Sequence, residues 1–582
     1  MLALFAAFLL AGAPAPDLLL ENATIYAAAD AKPAKASILL RGGEVAFVGD
    51  PAEAKARAKS ARAIDLSGRF VFPGFADAHL HLLGLGKTTE TAALRDAKSA
   101  ADAASRMAAA AAKLPAGAWV EGRGWDQTRW DGREFPDART LDAAVPERPA
   151  VARRVDGHAI WVNTAALSAA KVTAATKDPE GGRILRRPDG SPSGVLVDNA
   201  MALVVGAAPP ETDADRERWL AAGAAACARA GLTEVQDASG YDAAGIAALE
   251  RLAASGSLPI RVYATVSPAP DSLPKSLARG RRIGRGADFL TIRAIKAYAD
   301  GALGSRGAAL LADYSDEPGR RGLLVTPPER LAEVALAARR AGWQLWVHAI
   351  GDRGNRVALD AFEKAKDAVG AAPDGGDRPR IEHAQVVALE DFPRFARIPV
   401  IASIQPVHAT SDMRWAEDRV GPERIRGAYA WRRFLDAGAR LCGGSDAPVE
   451  TESPIEGIYA AITRRDDAGN PPGGWRPGER LTRAEAVALY TSGAAFAAFE
   501  EGWRGRIAPG AAADLTVLSG DPMTAPEADV RAIPVSLTIV GGRIAYEVAP
   551  ARRASRGRLA ASVQVAGRRV APERRASEAP SP

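Results

Sequence analysis

Between residues 70 and 495, short apolar runs rich in β-branched residues alternate with alanine-rich stretches of helical spacing. That is the pattern of repeated βα units around a parallel sheet. The runs that qualify as strands are Phe70–His81, Thr233–Asp237, Ile260–Ser267, Leu290–Ala299, Gln344–Ala349, Arg380–Ala384, Val400–His408 and Arg440–Ser445. Eight such runs predict an α/β fold, a (β/α)8 TIM-like barrel. The gap between the first and second strands is far too long for one βα unit. Within it, about 115–215 is rich in Trp, Arg, Gly and Pro and reads as an inserted lid subdomain. Long insertions at βα loops sit over the active-site face of a barrel.

The chain ends carry a different pattern. Residues 17–69 read as short strands with a Gly42-Gly43 hairpin, and residues 496–548 repeat the theme with Gly541-Gly542. The two are expected to meet in one small β-sandwich. Residues 1–16 are an apolar run followed by small residues, as in a signal peptide, which predicts export to the periplasm. That run lacks Lys and Arg, so an apolar extension on a cytoplasmic protein is the alternative. No apolar run reaches the ~18–20 residues needed to span a bilayer.

Composition changes this picture little. Of 582 residues, 47% are hydrophobic and 25% charged, an average globular profile. Charge is more informative. Residues 549–582 hold eight arginines and two glutamates, a net +6, which leaves the remainder of a +5 chain at −1. A nearly neutral body gives nucleic-acid binding by the fold itself no electrostatic support. The Arg-rich tail reads as a disordered, solvated end, with contact to an acidic surface as the alternative. Cys227 and Cys442 make neither a disulfide framework nor a zinc knuckle. A homo-oligomer is compatible with the chain, and nothing in the sequence specifies one.

The candidate chemistry lies at the predicted strand ends. His79 and His81, spaced i, i+2, put two imidazoles on one face of the first strand, with Asp77 one alternation earlier, a set that suits a divalent metal. Alone, such a pair is also met by two surface histidines. His348, His383 and His408 then fall at the ends of the fifth, sixth and seventh strands, and Asp446 follows a Gly-Gly turn after the eighth. Barrel active sites gather at these ends. His158 lies in the insertion and Lys296 in the fourth strand.

These segments resemble the amidohydrolase superfamily of metal-dependent hydrolases, in the branch that includes N-substituted formamide deformylase. The resemblance rests on Pro-Gly-Phe-Ala-Asp-Ala-His-Leu-His, Arg-Val-Asp-Gly-His-Ala, Lys-Ala-Tyr-Ala-Asp-Gly-Ala-Leu-Gly-Ser-Arg, His-Ala-Ile-Gly-Asp, Arg-Ile-Glu-His-Ala-Gln and Gly-Ser-Asp-Ala-Pro-Val, and it covers about 17–548. It implies a metal at His79, His81 and Asp446, and one shared with or held by His348 and His383. It places Lys296 where binuclear members carry a carboxylated, metal-bridging lysine. Desolvation frees a buried lysine amine for such chemistry. A salt bridge from Lys296 to Asp300 or Asp446 is the alternative and leaves room for one metal.

Imidazole and carboxylate ligands suit zinc best, with manganese or iron as alternatives. A metal-bound hydroxide would attack a carbonyl polarised by the metal and by His408 or His158, and Asp446 would carry the proton to the leaving nitrogen. His158 also reads as a structural residue of the insertion. Trp125, Trp130 and Trp161 either pack the lid's own core or line an apolar pocket for a small-molecule substrate; Trp125 is the candidate contact. Arg306 either holds a substrate carboxylate or carbonyl or braces its loop. The expected activity is hydrolysis of a C–N bond in a non-peptide amide, formamide or N-acyl compound. A lactone, carbamate or phosphotriester suits the same site, and a non-catalytic binding protein on this scaffold would have lost ligands that are all present here.

Overall fold

The computed structural model describes residues 16–373 and 378–548. The leader and the Arg-rich tail, and with them the expectations of export and of surface contact, lie outside the described residues.

Among these residues the barrel strands run in chain order in one parallel sheet. They are β1 (Phe75–Leu80), β2 (Leu232–Tyr241), β3 (Arg261–Val266), β4 (Leu290–Tyr298), β5 (Gln344–Ala349), β6 (Arg380–His383), β7 (Ile401–Ile404) and β8 (Arg440–Gly443). Each is almost wholly buried, because a parallel sheet is covered on both faces. Beyond β8 the chain turns back onto the first strand: Asp446 N–H donates to the His79 carbonyl at 2.6 Å, and His81 N–H to that of Ala447 at 2.8 Å. These bonds bring the two ends of the sheet together at the face that carries the histidines.

Two expected strands differ. Phe70–His81 is not one strand. Phe70–Pro73 belongs to another sheet, where it pairs with Leu515–Leu518, and only Phe75–Leu80 enters the barrel. Gly74 is the switch, since a Cβ there would meet Thr233 Oγ1 at 2.3 Å. The seventh strand stops at Ile404, because Pro406 starts α1 (Pro406–Asp412) at a position where a missing N–H costs nothing. His408 therefore stands in the first turn of α1 and not at a strand end.

The two ends of the described chain meet in a mixed sheet of order Arg543–Glu547, Val535–Val540, Leu515–Leu518, Phe70–Pro73, Leu18–Ile25, Ala34–Arg41 and Glu44–Gly49, with Arg62–Asp65 beside Leu18–Ile25. A third sheet, drawn from Ala92–Ala93 through Pro192–Asp198, lies in sequence between β1 and β2. It starts well before residue 115. No helix of the described residues is long and apolar enough to cross a membrane.

Candidate metal centre

The site is built from the strand ends inward. On β1 the alternation puts Phe75, Asp77 and His79 on one face. Asp77 accepts from the backbone N–H of His79 at 2.9 Å and of Ser445 at 3.0 Å, pinning the turn after β8 to the first strand. Gly444 permits this approach, as a Cβ there would lie 2.4 Å from His79 N.

His79 is fully buried, and its Nδ1 lies 2.5 Å from Glu382 Oε2. Burial, then Lys296, pushes its imidazole down to about 4, while Glu382 is held at about 2 by Arg380 and His79 against burial. The neutral ring therefore donates Nδ1–H to Glu382 and turns the Nε2 lone pair to the cavity. Arg380 locks Glu382 with bonds of 2.8 and 3.1 Å, lies 3.7 Å over the Trp346 ring, and ties itself to the Ala78 carbonyl and Ser403. Arg380 and Glu382 are site residues that motif reading missed. Their signal is the Arg-x-Glu alternation, which places both on the inward face of β6 ahead of His383.

His79 Nε2 is 3.5 Å from Asp446 Oδ1, and His81 Nε2 is 3.1 Å from the same oxygen. His383 and His408 stand on the other side of Asp446, with rings 5.8 Å apart and nearly parallel, and His408 Nε2 is 3.8 Å from Asp446 Oδ2. Two sets of potential ligands thus share one carboxylate: His79, His81 and Asp446, and His383, His408 and Asp446. His383 and Asp446 both adopt left-handed backbone, with φ of +73° and +58°. Such strain, of order 1–3 kcal/mol per residue, persists where the surroundings over-determine a functional geometry.

His348 is adjacent but outside both sets. Its ring lies 4.5 Å from that of His383, while its Nε2 faces the Gly301 carbonyl at 3.4 Å. Lys296 is buried, with Nζ 3.5 Å from His79 Nε2. Burial pushes its amine down to about 8, against the pull of Glu382 and Asp446. Among the described residues it has no ion-pair partner, so the salt bridge to Asp300 or Asp446 is absent. Asp300 instead accepts the backbone N–H groups of Ala309, Ile350 and Gly351 at 2.8–2.9 Å, and so braces the loop after β4.

His158 comes from the Ala92–Asp198 sheet and reaches the barrel site, its ring 4.8 Å from that of His348. Burial alone would lower its pKa, but the bond of its Nδ1 to Asp198 at 2.7 Å and the charge of that carboxylate raise it.

Two expected contacts do not reach this site. Trp125 is fully buried in the apolar core of the Ala92–Asp198 sheet; it donates Nε1–H to the Ala152 carbonyl at 2.7 Å and packs on Trp130, Phe135 and Trp161. Arg306 is captured by Asp316 at 3.0 Å and Glu317 at 3.2 Å, the acidic pair of its own loop.

The histidines separate two chambers. The smaller, about 90 Å³, is bounded by Arg154, Gln385, Asp412 and Trp415; the larger, about 470 Å³, by His81, Arg123, Arg153 and Tyr298. His158, His348, His383 and Asp446 line both.

These residues pass a test of fit for a divalent cation. His383 Nδ1 and His408 Nε2 are buried and have no hydrogen-bond partner, and the buried Asp446 Oδ1 faces the imidazoles of His81 and His79. An orphaned buried polar atom costs about 1–3 kcal/mol, and His383, His408 and Asp446 each offer a ligand atom within 4.8 Å of the others. Burial would raise the Asp446 pKa, but His81 and His79 hold the carboxylate well below its usual range, ionised and ready to ligate. Imidazole nitrogens with carboxylate oxygens form a donor set for zinc, manganese or iron.

Comparison with known proteins converges on the same place. The model of the amidohydrolase family matches residues 62–546. The Bacillus subtilis protein named amidohydrolase YtcJ is 35% identical over 492 residues, 83% of this chain and 90% of that one. The N-substituted formamide deformylase of Arthrobacter pascens is 28% identical over 553 residues, 91% and 98% of the two chains. The crystal structure of an uncharacterized metal-dependent hydrolase from Pyrococcus horikoshii superposes with a TM-score of 0.71 at 28% identity, covering 88% of this chain and 99% of that one.

Proposed function

The chain belongs to the amidohydrolase family, and from that premise we propose that it hydrolyses a carbon–nitrogen bond of a small non-peptide amide, formamide or N-acyl compound with a divalent metal. The observation that carries this reading is the gathering of His79, His81, His383 and His408 around the Asp446 carboxylate, with His383 Nδ1 and His408 Nε2 buried and unpartnered. The formamide substrate of the Arthrobacter relative supports the choice of bond.

His79, His81 and Asp446 would hold one zinc or similar ion, and Lys296, once carboxylated, would reach it. His383 with His408 would hold a second; His348 borders that position. A cation bound there polarises a carbonyl and makes water a nucleophile near neutral pH. The chain's own groups do the rest. Asp446 takes a proton from the attacking water and returns it to the leaving nitrogen, which departs only once protonated. His158 gives Nδ1–H to Asp198, whose charge favours the protonated ring, and in that form its Nε2–H donates to the carbonyl oxygen. The Ala92–Asp198 sheet, which supplies His158, Arg123, Arg153 and Arg154 to the chamber walls, serves as the lid.

The test is dialysis against a chelator, followed by a panel of formamides, N-acyl amides, lactones, carbamates and phosphotriesters. Amide hydrolysis is expected to vanish and to return with Zn²⁺ or Mn²⁺. Full activity in a His79→Ala variant sinks the proposal, and turnover confined to lactones or phosphotriesters moves the bond elsewhere.

A further inference from the structure

The larger chamber holds two arginines that make no direct ion pair among the described residues. Arg123 and Arg153 are register partners on the neighbouring parallel strands Val120–Trp125 and Ala150–Arg154, so their side chains leave the sheet on the same face. Both line the chamber that also contains His81, His383 and Asp446. Arg123 Nε is buried without a partner. Arg153 reaches the Gly157 carbonyl at 3.3 Å and the Met201 sulfur at 4.0 Å, and neither guanidinium has an ion-pair partner among the described residues.

The acidic groups on this wall are already engaged. Lys87 holds Glu121 at 2.8 Å and Glu211 at 3.2 Å. Asp156 lies 2.5 Å from Arg154, Asp198 2.7 Å from His158, and Asp446 3.1 Å from His81. Two adjacent, half-buried cations with no directly paired carboxylate repel one another. Burial, then the neighbouring Arg153, pushes Arg123 down to about 9. A purely structural pair would have recruited a carboxylate of its own.

We propose that Arg123 and Arg153 bind a carboxylate of the substrate, which makes the substrate an anionic amide: an N-formyl or N-acyl compound with a carboxylate on one of its halves. Guanidinium groups recognise carboxylates through paired, charge-assisted hydrogen bonds. A chamber of about 470 Å³ suits a small molecule, and it spans both the arginines and the histidines. The carboxylates of Glu121, Glu211 and Asp156 on the same wall favour a monoanion over a phosphate dianion. This assignment rests on the amide-hydrolase reading above.

The test compares racemic N-formylphenylalanine with N-formyl-2-phenylethylamine, which lacks only the carboxylate, on the metal-loaded full chain. The acid is expected to show a kcat/KM about 10–100-fold higher. Arg123→Met and Arg153→Met should remove most of that ratio, and Arg123→Lys should keep part of it; circular dichroism checks that each variant folds. Equal kcat/KM for the two compounds, or a ratio unchanged in both Met variants, overturns the proposal. Independently of turnover, calorimetry compares benzoate with benzamide. Benzoate binding that weakens about tenfold or more in Arg123→Met supports the arginine site even if no amide is cleaved, in which case the hydrolase reading alone fails. Benzoate binding no tighter than benzamide, or absent, overturns the arginine site.

Discussion

Glu382 decides which nitrogen of His79 faces the cavity. It accepts Nδ1–H at 2.5 Å and is itself clamped by Arg380, so the His79 ring is held in one tautomer and one orientation. Second partners of this kind tune a metal site as strongly as some ligands do. Glu382→Gln removes the charge while keeping the shape. It should weaken divalent-metal binding about 10–100-fold, read by competition with a chelator; affinity equal to wild type would show that Glu382 does not govern His79. At this scale the sequence was partly legible. His79, His81 and Asp446 could be picked out because imidazole and carboxylate at strand ends are few and chemically distinctive. Glu382, Arg123 and Arg153 could not, because one charged residue among 25% of the chain says nothing until the register across strands is known. Trp125 and Arg306 failed for the converse reason: what an aromatic or an arginine touches depends on its neighbours, here Trp130 and Trp161, and Asp316.

Elements meet at the opposite end of the barrel through one carboxylate. Asp514, just ahead of strand Leu515–Leu518, accepts from Arg261 of β3 at 2.8 and 3.1 Å, from Arg504 at 2.9 Å and from Gly541 N–H at 2.8 Å. It thereby joins the sheet of the chain ends to the bottom of the barrel, the face where stability and not catalysis is built. Burial would raise its pKa, but Arg261 and Arg504 hold it at about 2. Asp514→Asn should cost about 3–5 kcal/mol in denaturant unfolding, since it strands the buried Arg261 guanidinium, while Arg504 keeps Glu234 and Glu500. The sign of its pH dependence follows from the depressed pKa. The contribution is fully present above the unfolded value of 3.8 and is lost as pH falls towards about 2, so the gap between wild type and variant should shrink across that window. A gap that is constant over it, or a cost within about 0.5 kcal/mol as for an ordinary surface change, would contradict this joint. The strands of the barrel were readable from periodicity, and β5 matches its expected bounds. The breaks were not: Gly74 and Pro406 act through Thr233 and through the first turn of α1, contacts and geometry that a hydrophobic pattern does not carry.

The whole molecule turns on one arrangement: a barrel that gathers candidate metal ligands from β1, β6, the helix after β7 and the turn after β8 around the Asp446 carboxylate. More than 300 residues separate His79 from its nearest partner in the second set, yet both sets lie at one face because parallel strands all end on the same side. The same topology sets the Ala92–Asp198 sheet, with His158 and the arginine pair, against that face. Asp446 is the one residue common to both ligand sets, so it offers the sharpest measurement. Elemental mass spectrometry of the full-length protein, after gel filtration in metal-free buffer, should find about one or more equivalents of zinc, manganese or iron per chain in the wild type, and in Asp446→Ala a loss of most of it. A wild-type chain that takes up no stoichiometric divalent metal even when it is supplied, or an Asp446→Ala chain that retains the wild-type amount, would contradict the account.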